Sequence, residues 1–178
     1  MNIFICGGCK NGKSSLAQEL AVKLAQGEKH YYVATMIAGD EEDHLRIKRH
    51  VKDREGMGFE TLEIGRGIAA CLTEDAAEST FLIDSVTALL ANEMFHDNIT
   101  DAGALERCTK GLLQVLEHSE NCVIVSDYLF ADAVRFDALT EQYRCALAAL
   151  HRTLANVCDT VAELCADTVV IHKGELPQ

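Results

Sequence analysis

Eight residues near the N-terminus have the types and spacing of a phosphate-binding loop, G-x-x-x-x-G-K-[ST]. They are Gly7, Gly8, Cys9, Lys10, Asn11, Gly12, Lys13 and Ser14. Glycines let successive backbone N–H groups point at phosphate oxygens, at the positive end of a following helix. Lys13 can place its ammonium on the β- and γ-phosphates, and the Ser14 hydroxyl can ligate Mg²⁺. We therefore expect ATP or GTP to bind along this loop and at Ser15. The alternative is a glycine-rich turn that only leads into a helix.

Two aspartates follow apolar runs that can stand beside this loop. Asp84 ends the run TFLID, and Asp127 follows NCVIVS. A P-loop enzyme uses a second acid near Mg²⁺, and the carboxyl ends of parallel strands meet at one edge of a sheet. Asp84 is the better match, so we expect it to hold Mg²⁺ together with Ser14 and to take part in catalysis. Asp127 stays open as the alternative acid, and Asp84 as the N-terminal cap of a helix.

Residues 41–54 are charged throughout and contain few apolar positions. Arg46 and Arg49 form a local basic cluster in an acidic chain, which suits an anionic ligand such as a triphosphate. A solvated helix without a ligand is the alternative. A histidine in this segment has the chemistry of a nucleophile toward phosphorus, although spacing alone does not select one.

These residues need a scaffold, and the sequence patterns predict alternating strands and helices. Strand patterns cover residues 2–6, 30–35, 59–64, 80–84, 121–126 and 168–172. Helical patterns cover residues 14–26, 85–95, 102–117 with Asp101 as N-cap, 138–165, and a shorter stretch at 68–77. Residues 97–103 are expected to form a loop, and 128–137 are ambiguous. The pattern predicts an α/β fold with a mostly parallel central sheet flanked by helices, in a single domain of residues 1–178.

Charge and composition disfavour several classes of protein. The 16 basic and 28 acidic residues give a net charge of −12, which repels nucleic acids. The chain has no apolar run long enough to cross a membrane and no signal-peptide pattern, so we expect a cytoplasmic protein. Eight cysteines scattered along the chain predict buried, reduced thiols, with a zinc site as the poorer alternative.

The chain resembles the bifunctional adenosylcobinamide kinase/adenosylcobinamide-phosphate guanylyltransferases of cobalamin synthesis. That family has a GGxRSGKS loop, a Y-[IV]-A-T strand, an acidic pair before R-I-x-x-H, an acid-ended strand before T-x-x-x-x-N, and a late A-D-x-V. The matching residues are the loop from Gly7 to Ser14, Tyr32 to Thr35, Asp40 to Glu42, Arg46 to His50, Phe81 to Asp84 with Thr87 and Asn92, and Ala166 to Val169. Their order and spacing agree over nearly the whole chain.

The resemblance implies an enzyme with two steps. The kinase step would phosphorylate the aminopropanol hydroxyl of adenosylcobinamide. The guanylyltransferase step would take GMP from GTP onto a histidine, which maps to His50, and pass it to the corrinoid phosphate. Arg46 and Arg49 would balance triphosphate charge. The resemblance also implies a RecA-like P-loop NTPase fold and a homo-oligomer, a trimer.

One segment departs from the family pattern. After the fourth strand the family has T-N-E-V-G-x-G-I-V-P, and this chain has Ser126-Asp127-Tyr128-Leu129-Phe130-Ala131-Asp132-Ala133. Asp127 is then a replacement for a lost carboxylate, or the protein has a changed substrate or a single activity. Two alternative functions stay open: a P-loop kinase or NTPase acting on another small molecule, and a regulatory nucleotide-binding module without turnover.

Overall fold

A computed structural model describes residues 1–96, 99–131 and 133–177. The strands are β1 (Asn2–Gly7), β2 (His30–Ala34), β3 (Glu60–Glu63), β4 (Thr80–Asp84), β5 (Phe95–His96), β6 (Ile99–Thr100), β7 (Asn121–Asp127), β8 (Thr160–Cys165) and β9 (Thr168–Lys173). The helices are α1 (Lys13–Ala25), α2 (Glu41–Asp53), α3 (Val86–Met94), α4 (Ala104–His118) and α5 (Ala138–Val157). Among the described residues, no helix is long and apolar enough to cross a membrane.

Seven strands form one sheet in the order β3-β2-β4-β7-β1-β8-β9. All neighbours are parallel except β8 and β9, which form an antiparallel hairpin. The two short strands β5 and β6 pair separately. The central strands β1, β4 and β7 are almost entirely buried, as continuous apolar runs are when helices cover both faces of a parallel sheet. The predicted α/β fold with a mostly parallel sheet is confirmed.

The two faces of the sheet are covered unequally. On one face, α1 packs Ala17, Leu20 and Ala21 against inward residues of the central strands. On the other face, α3, α4 and α5 bury a larger apolar core together with residues of two 3₁₀ turns, Ile68–Cys71 and Ala76–Glu78. Helix α2 contributes no buried residue to either face. Apolar burial therefore stabilises the central strands from both faces of the sheet and α1 on one face, whereas it does not stabilise α2.

The helix predicted for residues 138–165 is wrong in its last part. Helix α5 ends at Val157, and Thr160–Cys165 forms β8, which pairs in parallel with β1. Val161, Ala162 and Leu164 are buried there. A short apolar run that follows a helix directly has no periodicity that separates a buried strand from more helix. Ala166 and Asp167 then turn the chain with positive φ angles, as in a type I′ hairpin.

Smaller differences concern the segments around α3 and α4. The predicted short helix at 68–77 is the pair of 3₁₀ turns. Helix α4 has Gly103 rather than Asp101 as its N-cap, because the Asp101 carboxylate accepts the Gly103 N–H at 2.7 Å, before the helix begins. In the predicted loop 97–103, Ile99–Thr100 forms β6, and residues 97 and 98 lie outside the described residues.

The eight cysteines are all free, and five of them are buried. Burial raises the pKa of Cys71, Cys108 and Cys158 to about 12, so these thiols stay protonated at neutral pH. The prediction that the thiols are buried is confirmed for five cysteines and is wrong for the three exposed ones, Cys9, Cys145 and Cys165.

Candidate functional site

The candidate chemistry lies along one edge of the sheet, where the parallel strands end. Gly7 at the end of β1 is level with Asp127 at the end of β7, and Asp84 at the end of β4 is level with Val125. Ala34, at the end of β2, is in turn level with Asp84. In open parallel sheets, ligands bind at this edge, outside the carboxyl ends of the strands.

The P-loop connects β1 to α1 and has little side-chain cover. A Cβ at Gly7 would collide with the carbonyl oxygen of Leu164 on β8, so only glycine fits there. Gly12 has φ 87°, in the left-handed region, and caps α1 without a side-chain hydrogen bond. Cys9, Lys10 and Ser15 are exposed, and Ser14 is half-buried. The backbone N–H groups of the first turn of α1 can therefore serve an anion.

Lys13 is buried within the loop, and only 5% of it is exposed. Its ammonium donates to the carbonyl oxygen of Gly8 at 2.5 Å and to Oδ1 of Asn11 at 3.1 Å. It also forms an ion pair with Oδ1 of Asp127 at 2.9 Å. Asn11 is fixed in turn, because its Nδ2 donates to the Leu164 carbonyl at 2.5 Å. The structure thus brings Lys13 together with Asp127 rather than with Asp84.

Asp84 lies one strand further along the edge. Its Oδ2 accepts the hydroxyl of Tyr32 at 2.8 Å, and its peptide bond to Ser85 is cis. Burial raises the pKa of Tyr32 far above its usual range, and the neighbouring Asp84 carboxylate adds to this effect, so Tyr32 stays a hydrogen-bond donor. The N-cap of α3 is Ser85, not Asp84. The Asp84 carboxylate therefore keeps one oxygen without a protein donor in the described part of the chain.

Helix α2 begins just beyond this edge, with the Asp40 carboxylate accepting the Asp43 N–H at 2.9 Å. Its less exposed positions are Asp43, Ile47, His50 and Arg54, which recur at the i, i+4, i+7, i+11 spacing of one helix face. His50 thus lies on the face toward the rest of the protein. Arg49 and Arg46 are exposed, and Arg46 is close enough to oppose the rise in the Tyr32 pKa.

Arg54, just after α2, fastens the helix to the sheet. Its guanidinium lies 4.1 Å from the centre of the Tyr32 ring, and its Nη2 donates to Oγ1 of Thr61 at 3.1 Å. The hydroxyl of that tyrosine reaches Asp84, so a short chain of contacts runs from the end of α2 to the sheet edge. Sequence reasoning assigned Arg54 no role. Arg54 continues the helical spacing of Ile47 and His50, the less exposed positions of α2. That spacing is the signal in the sequence that indicates an inward-facing Arg54.

The two polar residues of the T-x-x-x-x-N pattern tie strand ends together. Oγ1 of Thr87 accepts the backbone N–H of Asp127 at 2.8 Å and lies 3.1 Å from Oγ of Ser126. Asn92 donates to the carbonyl oxygens of Thr35 at 2.8 Å and Gly65 at 3.0 Å. These contacts fix the ends of β7, β2 and β3, and hence the edge on which the acids lie.

A buried histidine on α5 completes the network behind Asp127. His151 Nε2 lies 2.7 Å from the Ser126 hydroxyl, and its ring meets those of Phe4 and Phe130 edge-on. Burial lowers the pKa of His151 to about 4, against a smaller opposing effect of the Asp127 charge. His151 is therefore neutral at pH 7 and supports Ser126 through a hydrogen bond. Sequence reasoning missed it, since a helical histidine carries no local sign of its partner.

The donor chemistry of the edge suits a hard cation that is also held by phosphates. Among the described residues, no three His, Cys, Asp or Glu side chains are grouped so as to hold a metal on their own. This leaves oxygen donors taken singly, such as the Ser14 hydroxyl and the Asp84 carboxylate. Mg²⁺ is usually bound in this way, by one or two protein oxygens together with water and substrate phosphates.

Comparison with known proteins gives a match over nearly the whole chain. The sequence model of the family described as cobinamide kinase / cobinamide phosphate guanyltransferase matches residues 3–170. The bifunctional adenosylcobalamin biosynthesis protein CobP of Pseudomonas aeruginosa is 32% identical over 177 residues. That alignment covers 98% of this chain and 99% of the relative, so it includes the P-loop, α2 and the strands that end in Asp84 and Asp127.

Solved structures with low sequence identity share the fold. One is an ATPase domain with a TM-score of 0.54 at 12% identity, over 99% of this chain and 78% of that one. An ATPase from the type III secretion system of pathogenic bacteria also has a TM-score of 0.54 at 12% identity, over 92% of this chain and 51% of that one. These likenesses confirm the predicted P-loop NTPase fold of the RecA-like kind.

Proposed function

Because the chain belongs to the cobinamide kinase / cobinamide phosphate guanyltransferase family, we propose that it carries out both reactions of that family in cobalamin biosynthesis. It phosphorylates adenosylcobinamide and then transfers GMP from GTP to the new phosphate. The observation that carries this proposal is the family match over residues 3–170, together with a P-loop whose lysine is buried beside an acid at the sheet edge.

In the kinase step the P-loop holds the nucleotide, with Gly7 to Ser15 around its phosphates. The hydroxyl oxygen of the acceptor loses its proton to water as it forms a bond to the γ-phosphorus, and the bond to the bridging oxygen breaks. The nucleoside diphosphate leaves with that electron pair. Lys13 stabilises the charge that develops on the phosphoryl oxygens. ATP and GTP both fit this role, since the loop binds phosphates rather than the base.

Mg²⁺ is the metal that the donors at the edge fit. Ser14 and Asp84 would hold it, and Asp84 has a carboxylate oxygen beyond the one that Tyr32 occupies. When bound, the ion neutralises charge on the β- and γ-phosphates. The hydroxyl of Tyr32 donates a hydrogen bond to Asp84 and so fixes the orientation of this carboxylate.

In the guanylyltransferase step His50 is the nucleophile. An imidazole nitrogen forms a bond to the α-phosphorus of GTP, the bond to the bridging oxygen breaks, and pyrophosphate leaves with the electron pair. A phosphate oxygen of adenosylcobinamide phosphate then displaces the imidazole from phosphorus, which regenerates His50. The inward position of His50 on α2 supports this role, and Arg46 and Arg49 supply positive charge beside it.

The corrinoid approaches from the side of the segment after β7. Tyr128, Val134 and Phe136 are exposed there, next to Asp127, and offer apolar surface to a large macrocycle. Arg144 holds this segment by donating to the Leu129 carbonyl at 3.0 Å and by lying 4.9 Å from the Phe136 ring. The acidic net charge and the family argue against a nucleic acid as partner.

Three further expectations belong to the same proposal. The seven-stranded sheet runs from residue 2 to residue 173, which supports one domain over residues 1–178. Biosynthetic chemistry on nucleotides supports a cytoplasmic location. The resemblance supports a homo-oligomer, a trimer, which sedimentation equilibrium would test by its mass.

The guanylyl-histidine can be tested with α-³²P-GTP. Incubation followed by denaturing electrophoresis should leave acid-labile, alkali-stable label on the wild type and none on His50→Asn. His44→Asn is the matched control, since His44 is an exposed histidine on the same helix and should keep its label. Label that persists on His50→Asn would rule out His50 as the nucleophile.

The kinase step is tested separately with γ-labelled ATP and cobinamide. Transfer by the wild type and by His50→Asn, but not by Lys13→Ala, would agree with the proposal. Nucleotide binding without transfer to any corrinoid would overturn it in favour of a nucleotide-binding module.

A further inference from the structure

The ammonium of Lys13 has as many protein acceptors as it has protons. They are the Gly8 carbonyl, the Asn11 amide oxygen and the Asp127 carboxylate, at 2.5, 3.1 and 2.9 Å. Asp127 is the charged one, and its side chain is about one-fifth exposed. A lysine that donates to triphosphate oxygens must give up some of these partners, and the ion pair is the strongest of them.

Asp127 is held where it is by contacts that do not involve Lys13. Strand pairing sets it level with Gly7, and its N–H donates to Thr87 at 2.8 Å. The preceding residue, Ser126, is fully buried and bonded to both Thr87 and His151. The backbone of Asp127 therefore cannot retreat from the P-loop at low cost. Its carboxylate stays within the reach of one side chain from whatever anion the loop binds.

These contacts lead to an inference that rests on nucleotide binding by the P-loop. We propose that Asp127 competes with the nucleotide phosphates for Lys13, and so makes the site select nucleotide complexed with Mg²⁺ over free nucleotide. Free triphosphate is repelled by the Asp127 carboxylate, and to reach Lys13 it must also break the ion pair between Lys13 and Asp127. Phosphates neutralised by a divalent ion are repelled less, and the freed carboxylate faces a positive centre. Asp127 is thus a specificity-determining residue.

The test measures nucleotide affinity by calorimetry, with and without Mg²⁺, for the wild type and Asp127→Asn. Asparagine keeps the shape and removes the charge. We expect Asp127→Asn to bind ATP or GTP about tenfold more tightly than the wild type in EDTA, which is the size of one charge-assisted hydrogen bond. With Mg²⁺ the gain in affinity should fall to less than about twofold, because the metal already neutralises the phosphate charge that Asp127 repels.

Glu163→Gln is the matched control. Glu163 lies on β8, level with Cys6, and bonds to His172 rather than to Lys13. It should leave metal-free affinity within about twofold, since only a carboxylate in contact with Lys13 competes for it. Equal gains in both variants would show a general charge effect and overturn the proposal. Unchanged or weaker metal-free binding by Asp127→Asn would overturn it as well, and so would a gain that Mg²⁺ does not reduce.

A second measurement needs no nucleotide. The rate at which Lys13 is modified by trinitrobenzenesulfonate, followed by peptide mass spectrometry, should be low in the wild type and higher in Asp127→Asn. Equal rates would show that Asp127 does not restrain Lys13 and would sink the inference. If the rates differ as expected but no variant binds nucleotide, the proposed function fails, and the selectivity inferred from it fails with it.

Discussion

The two halves of the candidate site are built in different ways. The half proposed to bind phosphates is made of β1, α1 and β7, which bury most of the strand residues and one face of the helix. The half that carries His50 is one helix, α2, which has no buried residue. Arg54, directly after it, contacts Tyr32 and Thr61 of the sheet. A loop that binds phosphates needs fixed backbone donors, whereas a nucleophile must reach phosphorus in one step and release it in the next.

The largest effect should come from the rigid half. Lys13→Ala should lower kinase turnover about 10²- to 10³-fold, the usual loss when one donor to a developing phosphoryl charge is removed. Steady-state kinetics with cobinamide would measure this loss. Far-UV circular dichroism of the variant checks that the fold is kept, because Asp127 loses its ion pair with Lys13. A variant that keeps more than about a third of wild-type turnover would contradict the role of the loop.

The next effect concerns acid stability behind Asp127. The pKa of His151 is about 4 in the folded protein and about 6.5 when unfolded, so the unfolded state binds more protons between these values. The contribution of neutral His151 to the free energy of unfolding is therefore fully present above pH 6.5. It is lost as the pH drops toward 4, by up to about 3 kcal/mol.

His151→Gln keeps a polar partner for Ser126 but cannot titrate. Urea unfolding at pH 7 and pH 4.5 should show a smaller loss on acidification for this variant than for the wild type. An identical loss in both proteins would show that His151 is not buried in its neutral form.

A smaller effect should separate the two halves. Arg54→Met removes the contacts with Tyr32 and Thr61 and should cost about 1–2 kcal/mol of stability. Amide hydrogen exchange should quicken in α2 and stay unchanged in β1 and β7, with nucleotide affinity preserved. Lys48→Met, an exposed change on the same helix, is the control. Faster exchange in β7 as well would mean that the halves are not independent.

The smallest effect should come from the outer face of α2. Leu45 is 62% exposed, so Leu45→Ala should change the free energy of unfolding by less than about 0.5 kcal/mol. Chemical denaturation would measure it. A loss above about 1 kcal/mol would indicate that this face packs against something, such as a second copy of the chain.

Much of the rigid half could be predicted from the sequence because its signals are local. The P-loop spacing, the apolar strands and the acids at their ends are all readable within a few residues, and the sheet has the predicted parallel strands. The position of β8 could not be read, since its apolar residues continue the pattern of α5 without a break. Its place beside β1 depends on packing across the whole sheet.

The ion pair of Lys13 with Asp127 could not be predicted from the sequence, for a related reason. Strand order decides which acid stands beside the loop, and β7 lies between β1 and β4. The order of strands is set by distant contacts and leaves no mark in either strand. The sequence does indicate Asp84 as an acid of the same edge, but it does not predict the hydrogen bond of Asp84 with Tyr32.

The proposed two-step site places its nucleophile, His50, on helix α2, which buries no residue. Mass spectrometry of peptides from protein incubated with GTP, with digestion at alkaline pH, tests it most directly. We expect a GMP adduct on the peptide that contains His50, and its loss when adenosylcobinamide phosphate is added. An adduct on another residue, or none while the nucleotide remains bound, would contradict it.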